Sequence, residues 1–302
     1  MSQYFDNKAL FVGPKTTQYG SHNVMTNVVK ENKKKYINID SRFRDEYSNS
    51  DTCTVTLPCR INDVKNISVC NAEIPMSMYN VSADLGNHFF KLNVSTITIP
   101  SGYYASLADL ITQINDTIVD PDIVFGSQGN FVTIQNKKTT PLGGPPAAPY
   151  TIDFAVDSTG NFDKYYFKSK MGWMLGFTEL SYTIPPGKTI TGEFFANLQG
   201  PRYIYLVVDE YSRGNQNSFV APLSTSFINK NILARIVLDY RNYPYGSILT
   251  ANVFNGYLLS DKRSYTGKVD LQKLTVQLVN EYGVPVNLNG LDYSFCVEVE
   301  HE

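Results

Sequence analysis

Apolar and polar residues alternate with a period of two along most of the chain, and breaks in that rhythm divide it into regions. Residues 1–35 carry neither a strand nor a helix period and read as an extended polar arm, ordered only where it finds a surface to lie on. From Tyr36 the alternation begins. YINID (36–40), TCTVTLP (52–58), VKNISVCNAEI (64–74, ended by Pro75) and NHFFKLNV (87–94) predict strands. In the first of these, Ile37 and Ile39 point to a core while Tyr36, Asn38 and Asp40 face outward, and Ser41 opens a turn. Beyond residue 95 a short strand gives way to helical spacing: Ser106 is an N-cap, and Leu107, Leu110, Ile111, Ile114 and Ile118 form one buried stripe. A strand FVTIQ, the loop PLGGPPAAPY, strands near TIDFAV and KYYFK and a helical turn through MGWMLGF follow. After residue 200, YIYLVVDEY, ILARIVLDY, LQKLTVQLVN and YSFCVEVE are strands separated by the turn signals SRGNQN, NEYG and NLNG.

These elements predict a mainly β protein, an antiparallel jelly-roll β-sandwich built from residues 36–94 and 191–302. Residues 95–190 form an inserted α+β subdomain, and residues 1–35 form the N-terminal arm.

Composition sharpens this picture. The 302 residues include 21 Tyr and 17 Phe against one Trp, which suits strands with a wet face and extensive contact surfaces. A net charge of −2 argues against wholesale neutralisation of a nucleic-acid backbone, and no specific nucleic-acid partner is expected. The one basic cluster, KENKKK at 30–35, reads as a solvated linker. No apolar run approaches the roughly 18 residues of a membrane span. The opening MSQYFDNKAL is unlike a secretory signal, so a cytosolic site of synthesis is expected. Cys53, Cys59, Cys70 and Cys296 lack CxxC spacing and read as buried free thiols. Sequons at Asn66, Asn80, Asn93 and Asn115 are expected by chance in a chain so rich in Asn, Ser and Thr.

Little points to catalysis. PPGKT (185–189) lacks the Walker glycine, since Tyr182 stands there. His22, His88 and His301 have no metal or triad spacing, and Asp209 and Glu210 read as carboxylates solvating a strand end. No catalytic residue, cofactor or metal is expected.

YINIDSRFRDEY (36–47), AEIPMSMYNV (72–81), ITIPSGYYASLADLITQIN (97–115), LGF (175–177) and the tail VQLVNEYGVPVNLNGLDYSFCVEVE together resemble a family of minor structural proteins of large icosahedral double-stranded DNA viruses. Their order and spacing carry the resemblance over most of the chain after residue 35. It implies a jelly-roll capsid protein with no catalytic residues, either a penton closing the fivefold vertices as a homopentamer or a minor capsid protein beneath the major shell. Implied partners are the major capsid protein and other minor capsid proteins, in a virion capsid assembled in the host cytoplasm. No transmembrane segment is expected, and proximity to an inner viral membrane is compatible with such a place.

Within this picture Asp40, Arg42, Arg44 and Asp45 are the candidate interface, standing where the arm leaves the barrel. A guanidinium fork there suits carboxylates or carbonyls of a neighbouring chain, or carboxylates of its own chain that would tie the arm's exit to the barrel base. Two rival functions share the scaffold. One is a carbohydrate-binding host-attachment module using tyrosines of PYTIDF, YRNYPYG and KRSYTG. The other is a glycosidase with a carboxylate pair in a cleft.

Overall fold

The computed structural model describes residues 32–45, 52–139, 142, 144–163, 167–211 and 231–302. Residues 1–31 of the arm, the turn SRGNQN and residues 164–166 of the KYYFK segment lie outside these. Two hydrophobic cores organise the described residues, each enclosed by its own strands.

The first core lies inside one eight-stranded antiparallel sheet made of β1 (Lys33–Asp40), β2 (Thr52–Pro75), β10 (Tyr203–Asp209), β11 (Ile232–Val237), β12 (Ile248–Asn252), β13 (Leu258–Ser260), β14 (Arg263–Val279) and β15 (Ser294–His301). Their order is β1-β15-β2-β14-β10-β11-β13, with β12 also on β2. Inward side chains from along this path, among them Ile39, Ile67, Leu206, Leu233, Leu274 and Phe295, meet in a single core. The sheet must therefore curl on itself, giving the jelly-roll sandwich expected from the sequence.

The 24-residue β2 makes the curl. Its first part pairs with β14, and residues 64–73 pair with β15. The sequence shows two runs here, TCTVTLP and VKNISVCNAEI, and the structure joins them through Asp63, whose φ of +56° lies in the left-handed region. Three register shifts of β14 against β2 fall between Ser264 and Lys273, and such bulges bend a strand and increase its twist. Pro58 lies where β2 has no β14 partner between Thr56 and Ile61, a position that needs no ladder donor. β1 begins at Lys33 rather than at Tyr36, so Lys33 to Lys35 stand on a strand at the sheet's edge, where lysines discourage further pairing. They are not the solvated linker expected.

The second core is built by β3 (Phe89–Leu92), β4 (Ser95–Thr98), α1 (Leu107–Thr117), β5 (Ile123–Gln128), β6 (Phe131–Asn136), β7 (Tyr150–Asp153), α2 (Met171–Met174), β8 (Ser181–Ile184) and β9 (Thr189–Thr191). Sheets β4-β3-β7-β8 and β5-β6-β9 and helix α1 contribute side chains to this one core. Ser106 and Asp109 form a reciprocal capping box on α1, and Leu110, Ile111 and Ile114 are buried as the spacing predicts.

Several expectations change. NHFFKLNV, read with the sandwich, pairs with β4 and β7, because Phe90 and Leu92 are needed in the second core. Phe167 to Ser169 form a 3-10 turn rather than the end of a strand. β5, β8, β9, β12 and β13 have no counterpart in the sequence reading. Of the thiols only Cys53 is buried: Cys59 is exposed, and Cys70 and Cys296 are half-buried. Glu210 does not solvate a strand end; its side chain is 2% exposed and bonded to Arg263 at 2.6 Å.

Candidate functional site: the seam between the two units

Segments far apart in the chain meet where the second unit joins the sandwich. The backbone leaves β2 at Pro75 and returns to β10 from Pro201, so this joint must satisfy many polar groups away from regular ladders. Asn80, 4% exposed, does most of this. Its Nδ2 donates to the carbonyls of Tyr104 and Leu198, both at 2.9 Å, and its Oδ1 accepts from the Tyr104 N–H at 2.9 Å. One side chain thus clasps the outgoing segment, the approach to α1 and the returning segment. Val81 and Gly102 exchange main-chain bonds beside it.

The tail closes the other side. Ser77 Oγ donates to the Leu288 carbonyl at 2.6 Å, and Asn289 Nδ2 donates to the Ser77 carbonyl at 2.5 Å. Tyr103 stacks on Tyr245 at 4.2 Å between centroids, joining the second unit to the YRNYPYG loop. Gly176 of LGF has φ +91°, and a Cβ there would stand 2.1 Å from the Phe194 carbonyl oxygen. Only glycine permits this approach.

The four residues singled out at 40–45 lie together in a short turn at the end of β1 that leads toward β2, so the length of β1 separates them from the arm and they do not stand where the arm leaves the barrel. Asp40 caps the 3-10 turn Ser41–Phe43 by accepting from the Arg42 N–H, and it holds the Arg42 guanidinium at 2.6 Å. Arg42 keeps the Asp40 carboxyl below the usual carboxylate range. Arg44 donates to Asp292 at 2.8 Å and to the Ser41 carbonyl at 2.9 Å. The Asp45 N–H donates to the Thr54 carbonyl, and its carboxylate accepts from Thr56 Oγ1 at 2.7 Å. Buried Ser41 locks the turn to the tail, donating to Asp292 at 2.7 Å and accepting from the Tyr293 N–H at 3.0 Å. Both arginines therefore have carboxylate partners in their own chain. Their exposures differ: 65% for the Arg42 side chain and 16% for that of Arg44. Phe43, 72% exposed beneath the Arg42 guanidinium, was missed by the charge-based reading. An apolar residue inside a charged run was its signal.

Between the units lies a cleft of about 600 Å³, lined among others by Lys168, Trp173, Phe194, Phe195, Arg202 and Glu281. Phe194 and Phe195 are 60% and 61% exposed, and Lys168 Nζ lies 5.4 Å over the Trp173 ring. Burial pushes the Glu281 carboxyl above its ordinary range, with Arg202 acting in the opposite direction. The tyrosines considered for sugar stacking are not gathered on one outer loop. Tyr150 lies inside the second core, Tyr265 packs against the first, and Tyr245 is stacked on Tyr103.

Among the described residues no group of three or more His, Cys, Asp or Glu side chains could hold a metal ion. No described helix is long and apolar enough to cross a membrane. The sequons are occupied structurally: the amide nitrogens of Asn66, Asn80 and Asn115 donate to Glu300, to Tyr104 and Leu198, and to Phe125, while Asn93 accepts from Thr151.

No protein-family model matches the chain, and no curated protein matches it. Among solved structures it is similar to the crystal structure of a selenomethionine-labelled mavirus penton protein, at 13% identity and a TM-score of 0.40, over 89% of this chain and 100% of that one.

Proposed function

We propose that this chain is a structural capsid protein of a large icosahedral double-stranded DNA virus, and specifically the penton that closes the fivefold vertices as a homopentamer. The observation that carries the reading is spatial. The segments bearing the sequence resemblance are distant in the chain, yet Ser41–Tyr293 and Ser77–Leu288 bind two of them to the tail, and Asn80–Tyr104 binds the second unit to the chain leaving the sandwich. They maintain a two-unit shape rather than a reaction centre, and a shell component works through its shape. A single sandwich with a second unit on one end fits a vertex plug. Fivefold closure then needs a heterologous interface between two different flanks of each copy.

Arg42 and Phe43 are the part of the turn that a neighbouring chain can reach. Arg42→Glu with Phe43→Ser would impair assembly and leave melting nearly unchanged, whereas Arg44→Glu, which breaks the tie to Asp292, would lower melting first. Native mass measurement of protein released gently from virions tests the assignment. A pentamer supports it, and a chain mapped only beneath the facets of the particle, away from every vertex, moves the protein to the sub-shell role.

One observation favours a second reading, a carbohydrate-binding module: the exposed aromatic rim of the interunit cleft, with Arg202 and Glu281 at hand for hydroxyl groups. Glycan-array binding that is lost in Trp173→Ala would support it. An array silent for the wild-type protein would remove it.

A further inference from the structure

Cys70 and Cys296 lie on adjacent strands, β2 and β15. The register pairs Cys296 with Asn71 and the next residue, Val297, with Val69, so Cys70 is the extra residue of a β-bulge facing Cys296. Val69, Ala72, Phe295 and Val297 point into the core, while Cys70 and Cys296 are both half-buried on the opposite face. The residue directly opposed to Cys296 is Asn71, at a Cα separation of about 4.5 to 5.5 Å, and the bulge sets the adjoining Cys70 against the same partner. A disulfide spans Cα separations of about 4.4 to 6.8 Å. The two thiols already interact, each altering the other's titration.

We propose that Cys70 and Cys296 are a disulfide site, closed by exchange with a low-molecular-weight disulfide such as oxidised glutathione. One cysteine thiolate attacks the glutathione disulfide, forming a mixed disulfide and releasing one glutathione thiolate, which takes up a proton. The second cysteine loses its proton to solvent and attacks the protein sulfur of the mixed disulfide, expelling the other glutathione. The protein loses two protons and two electrons, and one oxidised glutathione becomes two reduced ones.

The surroundings set how this site behaves. Burial pushes the Cys70 thiol up to about 11 and raises Cys296 as well, so thiolate is scarce at neutral pH and closure accelerates as pH rises. The same environment does little to stabilise the reduced pair as thiolate, so the closed bond resists reduction. It would fasten β15 to β2, and through β15 the edge strand β1, whose only strand partner among the described residues is β15. The inference is independent of the capsid reading.

The test uses the full chain carrying Cys59→Ser, which removes the exposed thiol and with it intermolecular linkage. Reduced protein is incubated with oxidised glutathione at pH 8.5, alkylated under denaturing conditions and mapped by mass spectrometry without reduction. The expected result is a peptide pair joined through Cys70 and Cys296 in the majority of chains, with Cys53 alkylated. Closure should be several-fold faster at pH 9 than at pH 7. Lasting glutathione adducts on either cysteine without the joined pair, or both thiols remaining fully alkylatable, would overturn the proposal. Cys70→Ser, which must abolish the joined peptide, guards against scrambling during digestion.

Discussion

Asn80→Ala tests whether the seam holds the two units together. The substitution removes three hydrogen bonds, each at 2.9 Å, from a side chain that is 4% exposed. At about 1 kcal/mol net per bond, and more where a backbone group is left buried and unpaired, the loss is about 3 to 5 kcal/mol. That is a substantial part of a typical domain stability of about 5 to 15 kcal/mol. At about 2 to 4 °C per kcal/mol, the expected fall in Tm is on the order of 10 °C. The units have separate cores, so a single transition is not assumed. Hydrogen exchange should therefore accompany melting, and protection should fall most at the Tyr104 amide, whose acceptor is Asn80 itself. Asn80→Asp supplies a second comparison. It keeps the acceptor for Tyr104 but turns a negative charge toward two carbonyls. Its folded pKa would be raised, so the variant should regain stability as pH falls and the carboxyl becomes a donor. Asn80→Ala within about 0.5 kcal/mol of wild type, with Tyr104 protection unchanged, would refute the clasp.

Other outcomes follow from single contacts. Arg263→Met leaves Glu210 charged and buried, both side chains being 2% exposed, and should cost about 3 to 5 kcal/mol in urea unfolding, whereas the double variant Arg263→Met, Glu210→Leu recovers most of that loss. Lys34 donates to Glu298 at 2.8 Å and holds its carboxyl below the usual carboxylate range, so this support for β1 is present at neutral pH and fades as pH falls through the folded pKa; exchange at β1 amides should rise in acid before the rest of the sheet opens. Gly176→Ala forces a left-handed residue against the Phe194 carbonyl and should destabilise the second unit by at least about 2 kcal/mol, with altered fluorescence of Trp173. Unchanged Trp173 emission and melting would contradict the assigned packing.

How much of this protein is legible in one dimension depends on the range of the interaction. The α1 stripe and its Ser106 cap follow from contacts within about a turn, β14 and β15 follow from alternation along each strand, and β10 and β11 follow from short apolar runs bounded by turn signals. Side chains on one face of a strand see one environment, so the mainly β class was legible without knowing any partner. Which sheet a strand joins was not. Phe89–Leu92 has the same rhythm as the sandwich strands but pairs in the second unit, because partner choice depends on chain closure and core volume rather than on local period. The bend at Asp63 was equally invisible: a left-handed residue inside a continuous strand resembles a turn between two strands.

At the seam, the sequence by itself identified a turn of charge at Asp40–Asp45 that leaves a strand, and it left open whether the arginines look inward or outward. Tertiary structure decided the difference between Arg42 and Arg44, because Asp292 is brought beside the turn only by the pairing of β1 with β15. It also made Asn80 central, although its local pattern shows no more than a sequon. Local chemistry determined which groups need partners; the closure of the fold, bringing residues some two hundred positions apart within hydrogen-bond distance, determined which partners they have.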